Sequence, residues 1–306
     1  MNLLSEILKN LRICFEHLCF EPLNLFRILI FGFRIYPLRG NMDISIVILN
    51  YKSKGLVRMC LRGLQKFAPR HEHEIIVVDN DSKDGIAKMI AYEFPQVRCI
   101  MSSENIGFGA GNNIGIREAR GRYVMVMNPD TVIMDYSIDQ LVEAMDANPE
   151  IGIMGPRLQN PDGSRQHSCY RFPKPLIPVY RRTLLGKTTA GKAAIKEYLM
   201  EDWDHSYVRD VDWLLGASLV LRQEMIEKIG IFDDRFFMYL EDTDLCRRAW
   251  NAGYRVTYNP EITIVHYHKR ESSGSPFKFF TNYVVRAHVL SGFKYFLKYR
   301  GGSLPR

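Results

Sequence analysis

The chain has 306 residues, 46% hydrophobic and 25% charged, a balance that fits a folded globular protein and excludes collagenous, disordered and disulfide-scaffold classes. Six cysteines (Cys14, Cys19, Cys60, Cys99, Cys169 and Cys246) lie far apart without zinc spacing, which suits a reducing compartment. The net charge of +7 is unevenly placed: from His266 onward eight basic residues meet one acid, Glu271, so 8 − 1 = +7 falls there and the remainder balances to zero. Such an end points to a polyanionic partner, nucleic acid or an anionic membrane surface.

The first residues lack the basic n-region and clean apolar h-region of a secretory signal. Nor does any segment offer the roughly 20 mostly apolar residues of a membrane span. The expectation is a chain that stays in the cytoplasm. Residues 1–40 read as an amphipathic extension, with Leu4, Ile7, Leu8, Leu11, Phe15 and Leu18 at helical spacing up to Pro22. Leu23 to Tyr36 is apolar and aromatic but interrupted by Arg27 and Arg34. It fits either packing on the main domain or lying in a membrane interface.

From Asp43 the pattern alternates. Ile44 to Leu49 and Ile75 to Val78 are unbroken β-branched runs, as in parallel strands buried on both faces. Between them Lys54 to Phe67 carries helical spacing. A third strand fits Val97 to Met101, a Gly-rich stretch from Asn105 to Gly115 leads a helix, and a fourth strand fits Tyr123 to Met127. This order predicts an α/β domain over residues 41–270, Rossmann-like and doubly wound with a mostly parallel sheet, whose ligand binds at the carboxyl ends of the strands. Residues 157–187, rich in Pro, Arg and Lys, read as a long functional loop. Val211 to Leu221 is strand-like, Arg222 to Ile229 and Glu241 to Ala252 are helical, and Arg255 to Tyr258 and Ile262 to His266 resume strand. Residues 271–306 read as a basic, aromatic, helical C-terminal extension.

Each polar cluster of the first half follows a predicted strand: Asn50-Tyr51, then Asp79 to Ser82, then Ser103 to Asn112, then Asn128-Pro129-Asp130. One such loop is an ordinary turn. Four at one sheet edge describe a ligand crevice. The turn after the first strand is neither the dinucleotide nor the Walker pattern. Asp79 can accept a base N–H, the glycines near Asn105 let backbone approach a base or ribose, and Asp130 can bind Mg²⁺ or Mn²⁺ beside substrate phosphates. That set suits a nucleotide diphosphate, with Asn50, Asp79, Ser82, Asn105, Gly109, Asn112 and Asn128 as the candidate contacts.

The blocks "ISIVILNYKS", "EIIVVDNDSKDG", "SENIGFGAGNNIGI" and "YVMVMNPDTVI", and later "DWLLGASLVLRQEMIEKIGIFDDRFFMYLEDTDLCRRAWNAGYRV", resemble family 2 glycosyltransferases of the GT-A fold over Asp43 to His268. The likeness is greatest to the rhamnosyltransferase-like branch, which builds bacterial surface polysaccharide on lipid carriers. The resemblance implies that Asp79 holds the donor base, that Asp130 is the metal-binding acid of the D-x-D motif, here with Asn128 in the first place, and that Asp242 of the Glu241-Asp242 pair is the general base. It also implies His266 as a further metal ligand, and Trp213, Gly216 and Glu241 on the acceptor side. On local grounds Glu241, Asp242 and Asp244 are also plain first-turn acids, with Asp244 placed to pair with Arg248. Likewise the segment around Trp213 and Gly216 reads equally as a buried strand with a close approach.

The implied activity is inverting transfer from a nucleotide-diphosphate sugar, dTDP-rhamnose by resemblance, to a glycan or lipid-linked acceptor at the cytoplasmic face of the inner membrane. Two other readings remain: a sugar nucleotidyltransferase, which would want a basic triphosphate loop that Asn50 to Gly55 lacks, and a degenerate nucleotide-sugar-binding subunit, which Asn128 favours. Phe277 to Tyr299 interleaves aromatic and basic residues but carries no RNA-binding motif, so an anionic membrane rather than nucleic acid is the expected partner.

Overall fold

A computed structural model of the chain describes residues 42–267 and 283–305, all within one compact unit, Gly40–Arg306. The amphipathic reading of residues 1–40 and the stretch from His268 to Asn282 lie outside the described residues.

The strand β1 (Ile44–Asn50) is buried at every position, as its unbroken apolar run requires. It pairs in parallel with β2 (His73–Asp79) and β4 (Tyr123–Met127), and β2 pairs in parallel with β3 (Arg98–Met101). The crossovers are α1 (Lys54–Lys66), α2 (Ile86–Glu93) and α3 (Phe108–Glu118). Alternate side chains of β1 feed two cores: Ile44, Ile46 and Ile48 meet Val57, Leu61 and Leu64 of α1, while Val47 and Leu49 meet Ile116 of α3. A Cβ on Gly115 would sit 2.5 Å from Val47 Cγ1, so glycine is what lets α3 lie this close to the sheet.

The second half adds β5 (Thr131–Ile133), α4 (Ser137–Ala147), β6 (Ile151–Gln159), β7 (Cys169–Tyr170), α5 (Ile177–Arg182), a 3₁₀ turn (Leu184–Lys187) and α6 (Thr189–Tyr198). Then come β8 (Arg209–Asp210), β9 (Trp213–Leu214), β10 (Ser218–Arg222), α7 (Gln223–Ile229), α8 (Glu241–Asn251), β11 (Arg255–His266) and α9 (Tyr283–Lys298). The nine-stranded sheet runs β3-β2-β1-β4-β10-β6-β11-β5, with β8 on β11. This is the α/β architecture expected, but β10 enters antiparallel between β4 and β6, so the sheet is mixed beyond β4.

Three expectations are corrected. Residues 157–187 are not one loop: they hold the end of β6, then β7, α5 and the 3₁₀ turn, elements too short to show a period. The strand expected over Val211 to Leu221 is broken at Leu215–Ala217, where Gly216 turns its N–H toward α8. Conversely, the two strands expected after Arg255 are one, β11, whose register shifts between Asn259 and Thr263 around Pro260, a residue with no ladder donor.

The basic C-terminal segment is no detached appendage where it is described. On α9 the side chains of Val285, Ala287, Ser291 and Tyr295 are buried, and Lys298 reaches Asp233 at 2.7 Å. Among the described residues no helix is long and apolar enough to cross a membrane, and Cys60, Cys99, Cys169 and Cys246 are free.

Candidate active site

Parallel pairing brings Asn50 and Asp79 to the same level at the carboxyl edge of the sheet. There the fully buried Asn50 is a hub. Its Nδ2 lies 2.8 Å from Asp79 Oδ1 and 2.8 Å from Ser82 Oγ, and its Oδ1 accepts from Ser53 N at 3.2 Å. Ser82 Oγ in turn accepts from Lys52 N at 2.9 Å. The network holds Lys52, Asp81 and Lys83 at φ values of 53°, 59° and 56°. Such left-handed backbone costs on the order of 1–3 kcal/mol per residue and persists where surroundings enforce it.

Asn80, which sequence reasoning passed over as part of a polar turn, ties this edge to the next loop. Its Nδ2 donates to Asn105 Oδ1 at 2.9 Å and to Gly107 O at 3.0 Å, and its Oδ1 accepts from Ile106 N at 3.1 Å. Gly107 has φ +93°, and a Cβ there would fall 2.1 Å from Phe237 O.

The expectation that the following glycines open space for a ligand is corrected. The room beside Gly109 is filled by Phe232 and Glu241, whose Cβ atoms would lie 3.1 and 3.3 Å from an added Cβ. Gly109 therefore serves the packing of α3 against the loop before α8. Asn112 is also wholly buried, its Nδ2 turned back to Phe108 O at 2.9 Å.

The acid of Asn128-Pro129-Asp130 stands at the end of β4. Antiparallel pairing of β5 and β11 sets His266 opposite Thr131, which brings His266 Nε2 to 3.3 Å from Asp130 Oδ1. On the far side of the ring, His266 Nδ1 lies 2.8 Å from Gln166 Oε1. Gln166 Nε2 points at Asn160 Oδ1, 3.4 Å away, which fixes the amide with its oxygen toward the histidine. With the amide so placed, Gln166 Oε1 can accept from Nδ1 while Nε2 faces Asp130, the kind of contact by which an outer partner orients an imidazole ring. Gln166 sits in the segment read as a loop and gave no signal in the sequence.

The second pole is the start of α8. Tyr239 and Leu240 take φ values of 71° and 67°, turning the chain so that Glu241 and Asp242 enter the helix buried. Asp242 Oδ2 accepts from Gly216 N at 3.0 Å, and Oδ1 accepts from Thr243 N at 2.7 Å. Burial pushes the Asp242 carboxyl up to about 6, against the pull of these donors, which favour the charged form. Glu241 is raised well above the carboxylate range, first by burial and then by the charge of Asp242. Its Oε2 has no partner among the described residues. The environments of the two adjacent carboxyls differ: burial and the neighbouring charge disfavour ionisation of Glu241, while backbone donors favour the charged form of Asp242.

Asp244, one turn position further, is not part of this pair. It is fully buried and bound by Arg248 Nε at 2.8 Å, by Tyr299 Oη at 2.8 Å and by Lys298 Nζ. That is the structural role its i, i+4 spacing foretold. Trp213 is likewise internal, donating from Nε1 to Arg171 O at 2.9 Å and stacking on Tyr170 at 4.5 Å.

The two poles are joined through the sheet. Asn128 N donates to Ala217 O at 2.9 Å, and the next residue, Gly216, holds Asp242. Leu215 N donates to Ser168 O at 2.8 Å, two residues from Gln166. The buried Asp242 carboxyl and the Asp130–His266 pair are thus linked through one strand end, and the pair is suited to a cation. It fits a hard divalent ion, which needs only one or two protein carboxylates when phosphate oxygens complete its shell. No group of three protein ligands occurs among the described residues.

The sequence model of the glycosyl transferase family 2 matches residues 45–201. The chain belongs to that family. It is 33% identical over 211 residues to the N-acetylglucosaminyl-diphospho-decaprenol L-rhamnosyltransferase of Mycobacterium tuberculosis, covering 65% of this chain and 68% of that one. It is 25% identical over 268 residues to the rhamnosyltransferase WbbL of Escherichia coli K12, covering 84% and 94%. Among solved structures, the mannosyltransferase PcManGT from Pyrobaculum calidifontis, in complex with GDP-Man and Mn²⁺, aligns with a TM-score of 0.55 at 17% identity, covering 87% of this chain and 67% of that one. At that identity the likeness establishes the GT-A fold. The protein is a family 2 glycosyltransferase, and inversion at the transferred sugar is general to that family. The family match ends at residue 201, short of Asp242 and His266.

Proposed function

We propose that this transferase moves rhamnose from dTDP-rhamnose to a hydroxyl of a glycan carried on a polyprenyl diphosphate, for cell-surface polysaccharide, at the cytoplasmic face of the membrane. The observation that carries the chemistry is the buried Asp242, ionisable near pH 6 and held by Gly216 and Thr243, one strand end from Asp130 and His266. The sugar and the acceptor class are supported by the activity of the 33% identical relative.

In this reading the crevice lined by Asn50, Asp79, Ser82 and Asn105 seats the nucleotide, with Asn80 joining the two loops that line it. Asp242 accepts the proton of the acceptor hydroxyl as that oxygen attacks the anomeric carbon. The bond to the donor diphosphate breaks with its electron pair going to the phosphate oxygen, and one displacement inverts the centre. Asp130 and His266 would hold Mg²⁺ or Mn²⁺, which neutralises the charge developing on the diphosphate when bound. Burial and the neighbouring charge disfavour ionisation of Glu241, which leaves Asp242 as the base.

A panel of nucleotide sugars tests the assignment. Thermal shift and turnover are measured with dTDP-rhamnose, UDP-N-acetylglucosamine, UDP-glucose and GDP-mannose, with Mg²⁺ or Mn²⁺ present. Selective stabilisation and turnover by dTDP-rhamnose is the expected result; preference for another donor removes the rhamnose assignment and leaves the family intact.

A further inference from the structure

The helix α9 has an inside and an outside of opposite character. Its inward cation is paired, Lys298 meeting Asp233 and Asp244, while the exposed Lys294 keeps its charge and donates from Nζ to Arg235 O at 2.6 Å. Its outward face carries Leu290, Phe293 and Leu297, exposed to 55%, 64% and 52%, between exposed Arg286 and Arg300. No acid occurs in the chain after Glu271. A helix in water ordinarily turns its apolar stripe inward. Here both stripes are apolar, and the outer one is left uncovered among the described residues.

A second segment of the same character joins it. Between Arg171 and Lys196 there is no acid, and Leu184 and Leu185 of the 3₁₀ turn are 75% and 53% exposed, flanked by exposed Arg181 and Lys187. The two segments are tied by Arg182 Nη2, which donates to His288 Nδ1 at 3.0 Å. They also adjoin the catalytic loop. Tyr239 stacks on His288 at 4.4 Å and Ser291 Oγ donates to Met238 O at 2.8 Å, just ahead of Glu241 and Asp242.

We propose that the outer face of α9 and the 3₁₀ turn after α5 together form one docking face for an anionic lipid bilayer, adjoining the loop that leads into the catalytic base. Aliphatic and aromatic knobs set among arginines and lysines, with no acid, are the composition of helices that lie in the headgroup boundary. A second copy is a poor occupant, since pairing this face with itself sets cations against cations. A nucleic acid would be met by cations and flat stacking platforms rather than by leucines. The inference rests on the lipid-linked acceptor for its purpose, since a face beside Asp242 brings the base to a substrate anchored in the bilayer. Its physical basis is independent of which sugar is moved.

The test is co-sedimentation of the full-length protein with vesicles of phosphatidylcholine alone and with added phosphatidylglycerol, at low and high salt. Two double variants, Leu290→Glu/Phe293→Glu and Leu184→Glu/Leu185→Glu, change exposed side chains only. Thermal shift with dTDP checks that each remains folded and binds nucleotide. The wild type is expected to bind the anionic vesicles and to loosen as salt rises. Each basic residue near the surface is worth about fivefold in partition, so two acids on either segment should cut vesicle binding by about tenfold or more. If both double variants bind as the wild type does, the docking lies elsewhere and the proposal fails. It fails equally if the wild type ignores anionic vesicles, or if it is a dimer that Leu290→Glu/Phe293→Glu dissociates. Vesicle binding does not depend on turnover: absence of transfer to any lipid-linked acceptor, with vesicle binding intact, would overturn the acceptor assignment alone.

Discussion

The assignment of Asp242 as base has a pH signature that can be worked out before any assay. Burial raises its carboxyl from 3.8 to about 6. The active form is the ionised one, so activity must rise with pH through that value. At pH 7 about 90% of Asp242 is ionised and at pH 5 about 10%, so kcat/KM should fall roughly ninefold between them, with unit slope on the acid side. Asp242→Asn should lower transfer by about 10²- to 10⁴-fold, abolish that acid limb and leave the affinity for dTDP nearly unchanged, because the base touches the acceptor and not the nucleotide. Stability carries the opposite sign. A folded-state value raised above 3.8 means that the fold favours the protonated carboxyl, so its contribution is full below about 4 and is lost as pH rises through about 6. Asp242→Asn should therefore flatten the fall in Tm between those pH values. Initial rates from pH 5 to 8 and thermal melts from pH 4 to 8 give both readouts. A wild-type profile flat from pH 5 to 7, or a variant that keeps the acid limb, would refute the reasoning.

Three further outcomes follow from particular contacts. Asp130→Ala should weaken nucleotide binding and erase its dependence on Mn²⁺, measured by calorimetry with and without EDTA; equal chelator sensitivity in both proteins counts against a metal role. Gln166→Leu should lower Mn²⁺ affinity in the presence of dTDP by about 10- to 100-fold, the usual effect of losing a partner that orients a ligating histidine, while Gln166→Glu keeps an acceptor toward Nδ1 and retains binding. A variant Gln166→Leu with wild-type Mn²⁺ titration by electron paramagnetic resonance would show that the amide is only structural. Gly107→Ala should cost at least about 1–3 kcal/mol in unfolding free energy, since it adds left-handed strain and a contact with Phe237 O; an unchanged urea midpoint would mean that the loop before α8 simply moves aside.

The parallel half of the sheet was legible because its physics is local. A strand buried on both faces must be an unbroken apolar run, so Ile44 to Leu49 and Tyr123 to Met127 announced themselves, and the polar turns after them marked the crevice edge. Asn50, Asp79, Asp130 and Asp242 were candidates on that basis and by resemblance, and Asp244 could be given its partner Arg248 from i, i+4 spacing alone. Other features depended on contacts between distant segments, which no local pattern encodes. Gln166 reaches His266 across 100 residues of chain, and Gly216 reaches Asp242 across 26. The role of one glycine changed for the same reason: Gly109 looked like an opening for a ligand until Phe232 and Glu241 were found filling the space beside it. Composition counted the charge of the C-terminal segment correctly but could not orient it. The tertiary structure turned Lys298 inward to the buried Asp244 and left Arg286, Leu290 and Phe293 outside, because an isolated buried carboxylate must be paired while a leucine at the surface costs little by itself.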